Sequence, residues 1–281
     1  MIDQLLGSVC VWARQADDVL ALVLGGSLAR EDGTADRWSD LDLLLVTRAP
    51  DLYREPAFLA LFGDVLLRAD ESAPQGPPVW SALYETGKLD LTVCEAPADS
   101  LAPCLAAPDH RRLLQRGFKV VVDKYPVRDH TPPAPAAPAA PAAPAAPDAT
   151  AFAALVESFW MDALRSARFV RRGDLWRAQT ILICKMRAKF TRMAEWQAQA
   201  ADAAVDAWYD GRFINGWIDP RAAVHLPDFF VGLEPQALAC GHLAMAEAFG
   251  ALAENCATRL GFALPQGHVC AADMLQRMLR V

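Results

Sequence analysis

The sequence predicts an α+β fold, in which an N-terminal sheet with flanking helices is followed by a C-terminal helical bundle. Short apolar runs typical of strands recur along residues 19–122, whereas apolar side chains from residue 152 onward follow helical spacing. Between these parts, residues 131–150 are mostly proline and alanine, a composition that supports neither helix nor sheet. We therefore divide the 281-residue chain into domains at residues 1–130 and 151–281, joined by a linker at residues 131–150.

Within residues 1–130, apolar runs predict strands, and the segments between them have helical spacing. The predicted strands are residues 19–24, 41–47, 65–68, 79–84, 88–94 and 119–122, and the predicted helices are residues 2–16, 53–62 and 108–116.

After the linker, apolar side chains recur at i, i+3 and i+4, which indicates helices with one buried face. The first stripe runs from Phe152 to Ala167 and the second from Leu175 to Met193. Two further helices are predicted over residues 234–259 and 269–280. No strand is needed in this half, so we predict a helical bundle.

The composition argues against two classes of protein. A net charge of −7 and a pI near 5.3 disfavour a broad phosphate-binding surface, so we expect no nucleic-acid partner. No apolar run approaches the roughly 20 residues that cross a bilayer, and the N-terminus does not resemble a secretory signal. We expect a cytoplasmic monomer or dimer, whose acidic charge suits a cationic partner.

The seven cysteines are scattered and odd in number, which fits neither a disulfide framework nor a paired zinc site. We expect them to be small buried apolar residues.

A glycine turn follows the first predicted strand. Residues 19–24 run into Gly25, Gly26 and Ser27, after which a helix can begin. Backbone N–H groups left free at a helix start bind phosphate, and the serine hydroxyl adds a donor. Taken alone, such a turn is more often an ordinary connection.

Two carboxylates, Asp40 and Asp42, lie two positions apart at the start of the next strand and therefore point to the same face. Their mutual repulsion is removed when a divalent cation binds between them, and oxygen ligands suit Mg²⁺. The alternative is that Asp40 caps a turn and Asp42 faces solvent. Asp90 lies in another apolar strand, and beside the first pair it would act as a metal ligand or as a general base.

The order of Gly26-Ser27, Asp40, Asp42 and Asp90 resembles the DNA-polymerase-β-type nucleotidyltransferase superfamily. Within it, the chain is most similar to the aminoglycoside 6-adenylyltransferases, which modify streptomycin. Similarity extends to residues 58–64, 88–92, 120–124, 157–160 and 211–215.

This resemblance implies a nucleotidyltransferase-type mixed sheet, a helical domain that closes over the cleft, and transfer of AMP from MgATP to a substrate hydroxyl with release of pyrophosphate. Asp40 and Asp42 would hold Mg²⁺, Gly26 and Ser27 would cradle the phosphates of ATP, and Asp90 would be the third carboxylate and the base.

Basic side chains offer further contacts to the nucleotide. Many relatives carry arginine directly after the Gly-Ser pair; here Leu28 takes that place, and Arg30 is the nearest basic residue. Lys185 and Lys189 share one face of the second helical stripe with Arg192, where the triphosphate is a candidate partner and a solvated outer face is the commoner explanation. The resemblance adds Arg212.

A polycationic aminoglycoside would need acidic groups around its pocket. The candidates are Glu85, Glu95, Glu157 and Asp162, each with the alternative of facing water.

Three other functions stay open from the residues. The acceptor could be a lincosamide or a protein hydroxyl, or the chain could bind nucleotide without turning it over.

Overall fold

A computed structural model of the chain describes residues 2–30, 33, 35–96, 117–124, 146–205, 207 and 211–280. The chain forms two compact units, Met1–Pro141 and Ala142–Val281. The predicted helix at residues 108–116 lies outside the described residues.

The first unit contains a six-stranded sheet in the order β3-β4-β5-β2-β1-β6. Of its neighbouring pairs, β2 and β5 are parallel and the others are antiparallel, so the sheet is mixed. The strands are β1 Val19–Leu24, β2 Leu41–Thr47, β3 Leu67–Asp70, β4 Val79–Tyr84, β5 Gly87–Glu95 and β6 Lys119–Asp123.

Helix α1 (Ile2–Gln15) covers one face of this sheet with an apolar stripe. Leu5, Val9 and Ala13 follow at four-residue spacing and are fully buried in the same core as β1, β2 and β5. Strand β2 is central and apolar on both faces, as expected for a strand buried between layers.

Two predicted elements of this unit differ from those observed. Residues 53–62 are not an α-helix but fall in two 3-10 helices, Pro50–Tyr53 and Pro56–Phe62, because Pro56 forces Glu55 into extended backbone. The strand predicted at residues 65–68 is β3, two residues further on. All four residues of β3 are exposed on the edge of the sheet, so burial imposes no apolar pattern from which to place it.

The second unit is helical throughout its described residues. Its elements are α3 Ala149–Arg172, α4 Leu175–Thr180, a π-helical segment Ile181–Met186, α5 Arg187–Ala201, α6 Ile214–Trp217, α7 Pro220–Ala223, a 3-10 helix Leu226–Phe229, α8 Pro235–Leu260 and α9 Gly267–Leu279. Together with the mixed sheet, these helices confirm the predicted α+β fold class.

Helix α3 begins inside the predicted linker. Asp148 is its N-cap and accepts a 2.7 Å hydrogen bond from the Ala151 amide. Gly173, in left-handed conformation at φ 77°, ends the helix. The last two residues of the predicted segment 131–150 are therefore helical, and its residues 131–145 lie outside the described part of the chain.

A buried polar network lies beside the π-helical segment. The Ser166 hydroxyl of α3 donates to the Ala178 carbonyl (2.9 Å) and lies 2.6 Å from His242 Nε2, while His242 Nδ1 lies 2.6 Å from the Leu238 carbonyl. Burial lowers the pKa of His242. These contacts join α3, α4 and α8, and Ser166 engages a carbonyl one turn before the helix widens.

The cysteines depart from the expectation. Cys10 and Cys256 are buried as expected, but Cys184, Cys240 and Cys270 lie on outward faces of their helices and are exposed. Cys94 is disulfide-bonded, which the scattered spacing did not indicate.

Among the described residues, no helix combines the length and the apolar character needed to cross a bilayer.

Candidate active site

Three carboxylates meet at one end of the central strands. Asp42 and Asp90 are direct partners in the parallel register of β2 and β5, and Asp40 lies just before β2. One oxygen atom from each of these three side chains lies within 4.8 Å of the other two. We call Asp40, Asp42 and Asp90 the acidic triad.

Strand alternation explains why these side chains share a face. Leu41, Leu43, Leu89 and Leu91 point the other way and are at most 1% exposed, so burial of these leucines fixes the register of both strands. The triad residues themselves are half-buried.

The glycine turn packs directly against the triad. The Gly25 amide donates a 2.9 Å hydrogen bond to the Asp42 carbonyl. Gly26 has φ +63°, and a Cβ atom at this position would lie 1.8 Å from Asp42 Oδ2. Helix α2 (Gly26–Ala29) is a single turn, in which Ser27 is half-buried. Only glycine fits the turn, which brings backbone amides close to the carboxylates.

Burial and the neighbouring negative charges together raise the pKa of Asp42 to about 6. Burial of this carboxyl is the largest cause, followed by repulsion from Asp40 and Asp90, while the charges of Lys88 and Arg30 oppose the shift. The site therefore favours an added positive charge once Asp42 is ionised.

Two contacts of Asp90 were not predicted from the sequence. The Ser81 hydroxyl, on β4, donates to Asp90 Oδ1. Lys88 Nζ lies 2.5 Å from Asp90 Oδ2 and 3.6 Å from Asp40 Oδ2. Burial would lower the pKa of Lys88, but its hydrogen bond to Asp90 and the charges of both aspartates outweigh this effect and raise it.

Only one of these two contacts had a sequence signal. Lys88 lies two positions before Asp90 and so shares its face of the strand. Ser81 becomes visible only through the β4–β5 register, in which it is paired with Asp90.

The triad suits a small, hard divalent cation. Mg²⁺ prefers oxygen ligands at about 2 Å in octahedral geometry, so opposite ligand oxygens lie about 4 Å apart. Oxygen atoms within 4.8 Å of one another reach that arrangement through small side-chain movements. The donor set contains no nitrogen or sulfur ligand of the kind that structural zinc sites use.

Two of the acidic candidates for substrate binding lie at opposite ends of β5. Glu85 is exposed in the turn before β5, at the triad end of the sheet. Glu95 is the last residue of β5 and pairs with Thr47, about 17 Å along the strand from Asp90. Glu95 is therefore not brought to the triad, because both lie on one extended strand.

The other two acidic candidates lie on α3 in the second unit. Glu157 is exposed, whereas Asp162 is only 6% exposed. Asp162 forms ion pairs with Lys189 (2.5 Å) and Arg165 (3.2 Å), so its charge is already balanced within the helices.

The basic candidates of this unit have different surroundings. Lys185 is exposed, in keeping with the outer-face alternative, whereas Lys189 contacts buried Asp162. Arg212 is exposed, and its guanidinium lies 5.0 Å from the Phe213 ring.

A cavity of about 860 Å³ lies within the second unit, between α5 and the segment at residues 211–230. Its polar lining includes Arg187, Arg192 and buried Glu195, with Arg192 and Glu195 2.9 Å apart. Sequence analysis did not single out Glu195.

The chain matches the model of one known protein family. A family model described as streptomycin adenylyltransferase matches residues 2–273, a span that includes the triad and the glycine turn. None of the curated proteins matches the chain significantly.

Two solved structures were also compared. An aminoglycoside 6-adenyltransferase from Bacillus subtilis is 15% identical, with 100% of this chain and 98% of that chain covered and a TM-score of 0.48. A nucleotidyltransferase-like protein from Exiguobacterium sibiricum is 12% identical, with 92% of this chain and 78% of that chain covered and a TM-score of 0.32.

Proposed function

The chain belongs to the streptomycin adenylyltransferase family, and we propose that it transfers AMP from MgATP to a hydroxyl group of streptomycin or a related aminoglycoside. The observation that carries this proposal is the acidic triad with Gly26 packed against it. Three carboxylates on one face of the sheet repel one another unless a cation binds there, and the turn beside them offers donors for phosphate.

In this proposal Asp40 and Asp42 hold the metal ion. Mg²⁺, when bound, supplies positive charge that offsets the charge of the triphosphate. The amides of the turn at Gly26 and the Ser27 hydroxyl donate to phosphate oxygens, which fixes the position of the α-phosphorus. Arg30 adds a positive charge on the same side, consistent with its effect on Asp42.

Asp90 is the proposed general base. Its carboxylate takes the proton of the acceptor hydroxyl as that oxygen forms a bond to the α-phosphorus of ATP. The bond from the α-phosphorus to the bridging oxygen breaks, and pyrophosphate leaves with the electron pair. The hydrogen bond from the Ser81 hydroxyl orients Asp90 for this role.

The cationic acceptor requires negative groups near the attacking hydroxyl. Glu85 lies at the triad end of the sheet and is the nearest of the proposed contacts along the chain. Glu157 and Asp162 stay candidates from the second unit, and Asp162 would share its charge with Lys189. Lys185 and Arg212 stay candidates for the phosphates.

Mass spectrometry of the drug after incubation with MgATP tests the reaction. We expect streptomycin, or another member of an aminoglycoside panel, to gain one AMP. Product on a lincosamide or protein acceptor instead would change the acceptor, and nucleotide binding without any product would leave only a binding function.

Substitution of the triad tests the chemistry. Asp40→Asn and Asp42→Asn are each expected to lower the rate at least about a hundredfold with little loss of folding. Asp17→Asn is the matched control, because Asp17 is exposed and precedes β1 at the opposite end of the sheet. Activity that persists in either triad variant would contradict the metal-binding assignment.

A further inference from the structure

Lys88 occupies a place between two members of the acidic triad. Its Nζ atom lies 2.5 Å from Asp90 Oδ2 and 3.6 Å from Asp40 Oδ2, and its side chain is 45% exposed. The lysine therefore reaches the two acids from solvent and is not locked in place by packing.

A divalent cation and this ammonium group compete for the same oxygen atoms. Oδ2 of Asp90 accepts the short hydrogen bond from Lys88, and Oδ2 of Asp40 is also within ion-pair distance. A metal ion held by Asp40 and Asp42 would lie a few ångströms from Nζ, and the repulsion between these two cations favours release of the lysine from the carboxylate oxygens.

Added negative charge changes this balance. The three carboxylates carry less negative charge than the positive charge of a divalent ion, Lys88 and nearby Arg30 together. A bound triphosphate brings several further negative charges. The flexible lysine stem then lets Nζ exchange carboxylate oxygens for phosphate oxygens without movement of the strand.

We propose that Lys88 is an exchangeable counter-ion of the acidic triad, which the metal–nucleotide complex displaces and which then binds the phosphates of the nucleotide. Lys88 thus weakens binding of metal alone and strengthens binding of metal together with nucleotide. This is a coupling between two ligands through one side chain. It rests on the proposed function, because it requires that the triad bind a divalent ion.

The experiment measures Mn²⁺ binding to the full chain by calorimetry or electron paramagnetic resonance, with and without non-hydrolysable α,β-methylene-ATP. We expect Lys88→Met to bind Mn²⁺ alone about tenfold more tightly than the unsubstituted chain, because one positive charge beside the ion is lost. The same variant should bind the Mn²⁺–nucleotide complex several-fold more weakly.

The matched control is Lys124→Met. Lys124 is exposed, donates to the Ala16 carbonyl, and follows β6 at the opposite end of the sheet. Its substitution therefore removes one lysine charge at a place distant from the triad. Lys88→Arg retains the charge and should stay within about threefold of the original Mn²⁺ affinity. If Lys88→Met fails to fold in EDTA, Lys88→Gln gives the same readout.

Two results distinguish a failure of the counter-ion role from a failure of the proposed function. If the unsubstituted chain binds Mn²⁺ but Lys88→Met binds it no more tightly than Lys124→Met, the counter-ion role is overturned and the proposed function stands. If the unsubstituted chain binds no Mn²⁺ even with nucleotide, both proposals fail together.

Discussion

At the scale of single residues, the raised pKa of Asp42 makes metal binding at the proposed site dependent on pH. Its pKa is raised to about 6, whereas an unfolded chain has an ordinary aspartate near 3.8. Between these two pH values, Asp42 is therefore protonated in the folded state and ionised in the unfolded state. The stabilisation from this proton is complete below about pH 4 and is lost as pH rises through about 6.

Magnesium should reverse this trend. We expect the rise in melting temperature on adding Mg²⁺ to be small near pH 5 and to grow towards about pH 8, because the ion binds only ionised Asp42. Thermal unfolding across this range, with Mg²⁺ and with EDTA, provides the measurement. A Mg²⁺ effect that is independent of pH, or that is unchanged in Asp42→Asn, would contradict the role of this carboxyl.

The three acids and the glycine turn could be predicted from the sequence, since each is a short-range pattern within a strand or at its end. Ser81 could not, because its contact with Asp90 depends on strand register. Glu95 shows the opposite error: a residue close in sequence to Asp90 is carried away from it by the length of β5.

At the scale of elements, the turn between β1 and α2 positions the triad through one close approach. We expect Gly26→Ala to lower metal affinity and the rate of AMP transfer at least about tenfold, because the new methyl group would overlap Asp42 Oδ2. Left-handed backbone adds a destabilisation of about 1 kcal/mol.

Metal titration and thermal unfolding measure these effects. Gly7→Ala in α1 is the control, because its Cβ would meet no atom within 4 Å, and it should be stable and active. Normal metal affinity in Gly26→Ala would show that the turn does not position Asp42.

The ion pair between α3 and α5 distinguishes two roles of Lys189. Lys189→Met leaves Asp162 buried with only Arg165, and we expect a loss of about 2–3 kcal/mol in the free energy of unfolding. Lys185→Met, on an exposed position four residues earlier, should change stability by less than about 0.5 kcal/mol.

Chemical denaturation of both variants and of Asp162→Asn/Lys189→Met supplies the comparison. The double variant should recover part of the lost stability, because it no longer contains the buried carboxylate that the loss of Lys189 leaves short of positive charge. A Lys189→Met variant of normal stability that binds nucleotide poorly would assign Lys189 to the phosphates instead.

At the scale of the whole molecule, the change from strand-like runs to helical spacing was enough to predict the α+β class. Apolar periodicity reports which face of an element is buried, and both units obey it. It does not report which strands are neighbours, so the residues alone could not establish that β2 and β5 are parallel. The position of the linker stays a prediction.

The parallel pairing of β2 with β5 makes the triad dependent on a long-range contact. The β3–β4 hairpin lies between these strands in sequence, and β5 lies between β4 and β2 in the sheet, so Asp90 joins Asp40 and Asp42 only when β5 has paired with β2 across that intervening segment. Such long-range pairing is slow compared with local contacts. On the proposed function, a nascent or partly unfolded chain in which β5 has not yet paired with β2 would lack the complete triad and would leave ATP intact.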